Sequence, residues 1–286
     1  MKIKKAETAG FCFGVKRALE LTLKAAREGS GVYTLGPLIH NPQVVNRLRE
    51  EGVGVFEISN CYFATNNSQV PLNLKTVVIR THGVSKETNE HLNSLGVKVV
   101  DATCPFVKKA QQYAKLLHNE GYQVIILGDA DHPEVIGIKS YAGPDAVVVT
   151  EPEQIGRLHK KVGVVVQTTQ PIERLQRLLE KIVTLCRELK VYNTICNSTL
   201  ERLKETAQMA RNVDMMLVIG GRNSANTTQL ARLCESLGVM THHIETSDEL
   251  RKEWFERVRT VGITAGASTP DWIIDDVIER LKEFEG

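Results

Sequence analysis

The chain has 286 residues, 42% hydrophobic and 24% charged, which excludes a disordered protein and leaves room for two or three small domains. Its net charge of +2, from 36 basic against 34 acidic residues, argues against a surface built to bind nucleic acid. No apolar signal core or 18-residue apolar run occurs, so a soluble cytoplasmic protein with no membrane partner is expected, and its six cysteines read as thiols or metal ligands rather than a disulfide scaffold.

The first predicted strand is Ile3–Ala6, just before Cys12. After Cys12, Val15, Ala18, Leu19, Thr22 and Ala25 recur at spacings of three and four, the stripe of a helix that ends at Gly29. A short apolar run, Val32–Leu35, follows as a buried strand and breaks at Gly36. A second helix leads to a strand at Val53–Phe56. Beyond the polar stretch Asn60–Asn73 comes a third strand, Val77–Arg80, with Thr81-His82-Gly83 after it. A further helix and the strand Val97–Asp101 lead to Cys104.

The order then begins again. A helix with Val107, Ala110, Tyr113, Ala114 and Leu117 on one face precedes strands at Val124–Leu127, Val147–Val149, Val162–Val166 and Lys190–Asn193, the last just before Cys196. A third round runs from the helix of Leu200, Leu203, Ala207 and Ala210 through strands at Met215–Ile219, Thr241–Ile244 and Val261–Thr264. It closes in a helix, Trp272–Phe284, with no strand after it. Alternating helix and strand with short connections predicts parallel α/β sheets. The strand missing from the third round is matched by the one at the start of the chain. The expected organisation is three α/β units, residues 14–103, 104–192 and 193–286, the last completed by residues 1–13.

Cys12, Cys104 and Cys196 are each separated by 92 residues, and the interval carries more than the thiols. It relates Gly36, Gly128 and Gly220, and also His40, His132 and Ser224. Three copies of one unit each deliver a thiol and then a polar residue from a glycine turn. All three thiols precede helices, where the dipole favours thiolate. Three thiolates with no fourth protein ligand leave an open coordination position, which suits a 4Fe–4S cluster or zinc. The other candidates fall at strand ends: His40, His82, His132, Glu134, Thr168, Ser224, Asn226 and Ser268. In parallel sheets ligands bind beyond the carboxyl ends of strands. Imidazoles, hydroxyls and an amide on such turns suit an oxyanion, a phosphate or diphosphate above all. Glu134 is the one carboxylate among them, a proton donor or alternatively a cap for its own helix. Cys61, Cys186 and Cys234 read as ordinary loop or core thiols. His91, His118, His159, His242 and His243 read as structural or solvated.

Several stretches carry a resemblance. Ala9-Gly10-Phe11-Cys12-Phe13-Gly14-Val15, Leu35-Gly36-Pro37-Leu38-Ile39-His40-Asn41-Pro42 and Thr81-His82-Gly83-Val84 resemble the 4-hydroxy-3-methylbut-2-enyl diphosphate reductase family. So do Asp101-Ala102-Thr103-Cys104-Pro105, His132-Pro133-Glu134-Val135, Gln167-Thr168-Thr169, Asn193-Thr194-Ile195-Cys196 and Gly266-Ala267-Ser268-Thr269-Pro270. The likeness spans almost the whole chain. It implies a trefoil of three α/β units around one 4Fe–4S cluster held by Cys12, Cys104 and Cys196, with one iron open to the substrate hydroxyl. It implies that His40, His82, Ser224, Asn226 and Ser268 hold the diphosphate with His132 beside it, that Thr168 orients the hydroxyl and relays protons, and that Glu134 supplies them. It implies a reductive dehydroxylation to isopentenyl and dimethylallyl diphosphates, the last step of the methylerythritol phosphate route, with ferredoxin or flavodoxin as electron donor. Two departures are visible. Ala225 stands where many relatives have Ser, leaving the backbone to make that contact, and the Asn60–Asn73 stretch is longer than the usual loop.

Three rival functions share some of these features. A non-redox cluster dehydratase would need no external reductant. A non-enzymatic cluster-based redox sensor would need no small-molecule pocket, against which the His/Ser/Asn turns argue. A zinc-stabilised structural protein would contain no iron.

Overall fold

Runs of β-branched and aliphatic residues build the centre of each sheet. In the computed structural model, which describes residues 1–56 and 71–284, twelve strands form three four-stranded sheets. In chain order the strands are β1 (Lys2–Lys5), β2 (Val32–Leu35), β3 (Val53–Phe56), β4 (Thr76–Ile79), β5 (Lys98–Asp101), β6 (Gln123–Leu127), β7 (Val147–Val149), β8 (Lys161–Val166), β9 (Glu188–Val191), β10 (Met215–Ile219), β11 (Met240–Ile244) and β12 (Thr260–Ala265). Among the described residues nine α-helices alternate with them: α1 (Phe13–Glu28), α2 (Pro42–Glu50), α3 (Lys86–Ser94), α4 (Pro105–Asn119), α5 (Pro133–Lys139), α6 (Ile172–Ile182), α7 (Asn197–Ala210), α8 (Ala225–Ser236) and α9 (Asp271–Glu283). Every paired strand among these residues is parallel to its neighbour.

The sheet orders are one order used three times: β3-β2-β4-β5, β7-β6-β8-β9 and β11-β10-β12-β1. In the third sheet the fourth place is taken by β1, which pairs with β12 in the register Lys2↔Thr260 to Lys5↔Ile263. Every residue of β4, β6 and β10 is buried. Such strands read as continuous apolar runs because helices cover both faces. Ile126 is fully buried among Ala110, Ala114, Leu117 and Val135, so Ile126→Ala would cost about 2–5 kcal/mol.

The chain divides into two compact units: Met1–Lys16, Ile39–Arg47 and Asn197–Gly286 in one, Arg17–Leu38 and Leu48–Cys196 in the other. The first holds the β11-β10-β12-β1 sheet and the second holds the other two. Element ends match the sequence reading to within a residue or two. The largest shift is at β9, which stops at Val191 rather than Asn193. Side chains take over the ladder there: Thr194 Oγ1 accepts the Val166 N–H at 2.9 Å, and Asn193 Oδ1 accepts the Ile195 N–H at 3.1 Å. No helix among the described residues is long and apolar enough to cross a membrane. Cys61 and most of the Asn60–Asn73 stretch lie outside the described residues.

Candidate active site

In each sheet the two central strands are the pair from which the chain order reverses: β2 and β4, β6 and β8, β10 and β12. The crevice beyond such a switch point is where open parallel sheets bind ligands. Every candidate except the three cysteines lies on a turn that follows one of these six strands or at the helix start it feeds.

The backbone repeats the sequence interval in hydrogen bonds. Gly36, Gly128 and Gly220 each donate their N–H to the last carbonyl of the flanking strand, Phe56 at 2.7 Å, Val149 at 2.9 Å and Ile244 at 2.9 Å. The three principal cysteines do the same on the other side. The Cys104 N–H donates to Thr81 at 2.9 Å, Cys196 to Thr168 at 2.9 Å and Cys12 to Ala267 at 3.3 Å. Each acceptor lies two residues past the end of the neighbouring central strand, so all three thiols hold one position in their sheets. All three are half-buried. Cys104 is the N-cap of α4, yet its side chain makes no capping bond. Three cysteines in one backbone setting, ahead of three helices, are a donor set that suits an iron–sulfur cluster or zinc. Cys234 differs. It is buried against Met216, Val218 and Leu230, and burial pushes its thiol up to about 11. Cys186 sits past the end of α6, its N–H bonded to the Ile182 carbonyl at 3.2 Å.

Within the unit that holds β6 and β8, four candidates come together. His132 is the N-cap of α5, and its Nδ1 accepts the Glu134 N–H at 3.1 Å. That leaves Nε2 as the proton-bearing nitrogen of the neutral ring. The His132 ring meets His82 edge-on, centroids 5.3 Å apart. Because His132 caps the helix, the Glu134 carboxylate does not. It crosses instead to the turn after β8, where it accepts the Thr168 N–H at 2.7 Å and the Thr168 hydroxyl at 2.9 Å. Glu134 is 2% exposed, and burial raises its pKa to about 7 against the opposing pull of the two bonds from Thr168. Desolvation therefore outweighs two hydrogen bonds, and the carboxyl carries its proton through the mildly acidic range. In that state its O–H donates to Thr168 Oγ1, and the threonine hydroxyl is released to donate onward. Gln167 braces this turn: its side-chain oxygen accepts the Asp129 N–H at 2.9 Å and the Gln170 amide at 3.1 Å.

The unit that holds β10 and β12 collects the other set. Ser224 is the N-cap of α8 and accepts the Thr227 N–H at 3.4 Å. Its own O–H remains a donor. Asn226 Oδ1 accepts the Ala267 N–H at 3.4 Å, which leaves the Nδ2 amide as a donor. Ser268 is 8% exposed, and its buried Oγ has no hydrogen-bond partner among the described residues. Ala225, the first residue of α8, is exposed and brings only its backbone. His40 is half-buried, and its carbonyl lies where a Cβ on Gly221 would come within 2.7 Å, so the glycine turn packs flush against it. Gly220 has φ +143°, a backbone turn that a side chain rarely adopts.

Sequence reasoning missed three supports. Gln167 is one. The target of His243, whose role is expected to be structural, is another: its Nε2 lies 2.8 Å from the Gly220 carbonyl and holds the turn before Ser224. The alternation of β11 hid it, since nothing in a strand pattern says which polar residue faces a turn. The third is Arg202, a buried arginine on α7.

The family model described as LytB protein matches residues 3–282. The chain belongs to the LytB protein family. Among LytB relatives, the 4-hydroxy-3-methylbut-2-enyl diphosphate reductase of Geobacter sulfurreducens is 50% identical over 287 residues, covering 100% of this chain and 98% of its own. That of Trichlorobacter lovleyi is 47% identical, covering 99% of this chain and 98% of its own. A solved (E)-4-hydroxy-3-methyl-but-2-enyl diphosphate reductase, described as the terminal enzyme of the non-mevalonate pathway, superposes with TM-score 0.72 at 44% identity, covering 99% of this chain and 100% of that one. The Plasmodium falciparum reductase shares the fold, with TM-score 0.88 at 23% identity over 98% of this chain and 88% of that one.

Proposed function

We infer that this chain is a 4-hydroxy-3-methylbut-2-enyl diphosphate reductase, an oxidoreductase of isoprenoid-precursor synthesis. The carbon–oxygen bond of the allylic alcohol breaks, two electrons and two protons enter, and one water leaves. Protonation at either end of the allyl unit gives isopentenyl or dimethylallyl diphosphate. Cys12, Cys104 and Cys196 are the residues that would hold one 4Fe–4S cluster. When bound, the cluster supplies single electrons and an open iron that polarises the hydroxyl. A small reduced carrier, ferredoxin or flavodoxin, is the proposed source of those electrons.

The residues divide the rest of the work. Hydroxide is a poor leaving group, so the departing oxygen must be protonated. Burial raises the Glu134 pKa to about 7, so the carboxyl still has a proton to give near neutral pH, and Thr168 is the hydroxyl through which that proton reaches the substrate. His132 donates to the substrate, and His82, whose ring packs against it, joins the diphosphate donors. Ser224, Asn226, Ser268 and His40 hold the diphosphate, with the backbone N–H at Ala225 replacing a side-chain donor. Several desolvated donors on one multiply charged anion make this group the main source of affinity.

The observation that carries the reading is the buried Glu134–Thr168 pair at the β6/β8 switch point of a LytB chain. A dehydratase has no use for an external reductant. The test is anaerobic turnover of the allylic diphosphate with a one-electron donor, with product analysis and iron and sulfide determination. Two-electron reduction products and iron in the protein are expected. Turnover without reductant would instead establish the dehydratase, and an iron-free zinc protein would end the cluster reading.

A further inference from the structure

Helix α7 carries a charge that the chemistry above does not use. Arg202 is 2% exposed. Its Nη2 donates to the Gly10 carbonyl at 3.0 Å, and its Nη1 to the Ala265 carbonyl at 2.5 Å. Gly10 stands two residues before Cys12, and Ala265 three before Ser268. Gly10 has φ +105°, and a Cβ there would meet Asp271 Oδ1 at 2.6 Å, so only glycine presents its carbonyl this way. Less than a turn along α7, Glu205 accepts the N–H of Glu7 at 2.6 Å and of Thr8 at 2.9 Å.

The same two segments meet again further on. The Cys12 N–H donates to the Ala267 carbonyl at 3.3 Å, and the Ala267 N–H donates to Asn226 Oδ1 at 3.4 Å. The strand-end segment that delivers Cys12 and the turn that delivers Ser268 are thus tied at both ends, by a guanidinium and by a backbone bond. Burying an arginine is costly unless its donors are met, and here a planar fork meets carbonyls on two different segments at once. A lysine, with one point charge on a flexible stem, cannot hold both in that geometry.

We propose that Arg202 is a positioning residue that makes the Cys12 segment and the Ala265–Ser268 turn one mechanical element, so that occupancy of the thiol site and capture of diphosphate reinforce each other. The proposal rests on the assignment of Cys12 as a cluster ligand and Ser268 as a diphosphate donor. Coupling of this kind is reciprocal: whatever diphosphate gains from a loaded cluster, the cluster gains from bound diphosphate.

The test uses anaerobic holoenzyme and inorganic pyrophosphate, with cluster loss to an iron chelator followed by absorbance and pyrophosphate affinity by calorimetry. In the wild type, saturating pyrophosphate slows cluster loss at least about fivefold. In Arg202→Lys that protection falls below about twofold. Thr206→Val is the control for lost stability, because Thr206 shares a buried hydroxyl bond of 2.9 Å with Thr264 on the same helix and strand. It lowers the melting temperature and keeps the protection. Full protection in Arg202→Lys overturns the proposal, as does equal loss in Thr206→Val. Pyrophosphate that binds the wild type without protecting it also overturns the coupling. Pyrophosphate that fails to bind overturns the diphosphate assignment itself, and the proposal with it. Should Arg202→Lys not fold, hydrogen exchange on the wild type decides: pyrophosphate slows exchange of the segments holding Cys12 and Ala267 together, and slowing at Ala267 alone overturns the proposal.

Discussion

The turn after β6 and the turn after β10 occupy the same place in the same strand order, and each opens with a glycine bonded to its flanking strand. Their side chains do opposite things. After β6, His132 caps a short helix and Glu134 is sealed against Thr168. After β10, Ser224 caps a longer helix and Asn226 keeps an amide donor open, joined from the turn after β12 by the unpartnered hydroxyl of Ser268. A backbone copied three times therefore supplies position only. One copy holds a desolvated acid, the proposed proton source, and another holds hydroxyls and an amide, the proposed anion cradle. Burial decides the difference: a carboxyl without water keeps its proton, and a hydroxyl without a partner waits for a ligand.

The comparison breaks hardest if the common element is removed. Replacing Cys12, Cys104 or Cys196 by Ser is expected to abolish or destabilise the iron–sulfur absorption. The same change at Cys186 and Cys234 leaves the absorption intact. Anaerobic spectra with iron analysis make the check.

The acid comes next. Glu134→Gln keeps the shape and loses the proton, so turnover falls by about a hundred- to ten-thousandfold, with iron content and substrate affinity retained. Near-normal turnover would move the acid role to His132 or to the substrate's own diphosphate.

The same carboxyl leaves a stability signature. Its pKa rises from 4.5 unfolded to about 7 folded, so its contribution is fully present below pH 4.5 and is lost as pH rises through 7. Between pH 5 and 8 the wild type should lose about 3 kcal/mol that Glu134→Gln does not lose, seen as a flatter melting profile for the variant.

On the anion side the effects are smaller. Ser268→Ala removes one donor and should raise KM about tenfold with kcat little changed. Ala225→Ser adds a hydroxyl at the N-terminus of α8 and should lower KM about threefold, an effect confined to affinity.

Much of this architecture is legible in the order of the residues. Strands such as β2, β3, β7 and β10 have the ends that their apolar runs predict, because a buried parallel strand is a bare apolar run between breakers, as Val32–Leu35 before Gly36 shows. The interval of 92 residues locates the thiols and turns because a duplicated unit repeats its backbone hydrogen bonds along with its sequence. What escapes are the supports. Arg202 and His243 act through partners distant in the chain, 192 residues away for Arg202 and Gly10, and Gln167 joins a near partner, Gln170, to a distant one, Asp129. No local pattern encodes such a partner. The end of β9 falls short of its predicted place because Thr194 and Asn193 satisfy the backbone with side chains, which an apolar count does not register.

The pairing of β1 with β12 has a consequence for how the molecule is made. Lys2 finds its sheet partner at Thr260, the largest separation any strand pair here must close. During vectorial synthesis the first strand emerges with no edge to join, and it must wait for nearly the whole chain. Cys12 waits with it, since its amide partner Ala267 lies just beyond β12. A nascent chain can thus build the sheets that precede Cys104 and Cys196 while the third thiol is still unplaced. Closing this longest loop is the step that sets Cys12 in its place beside β12.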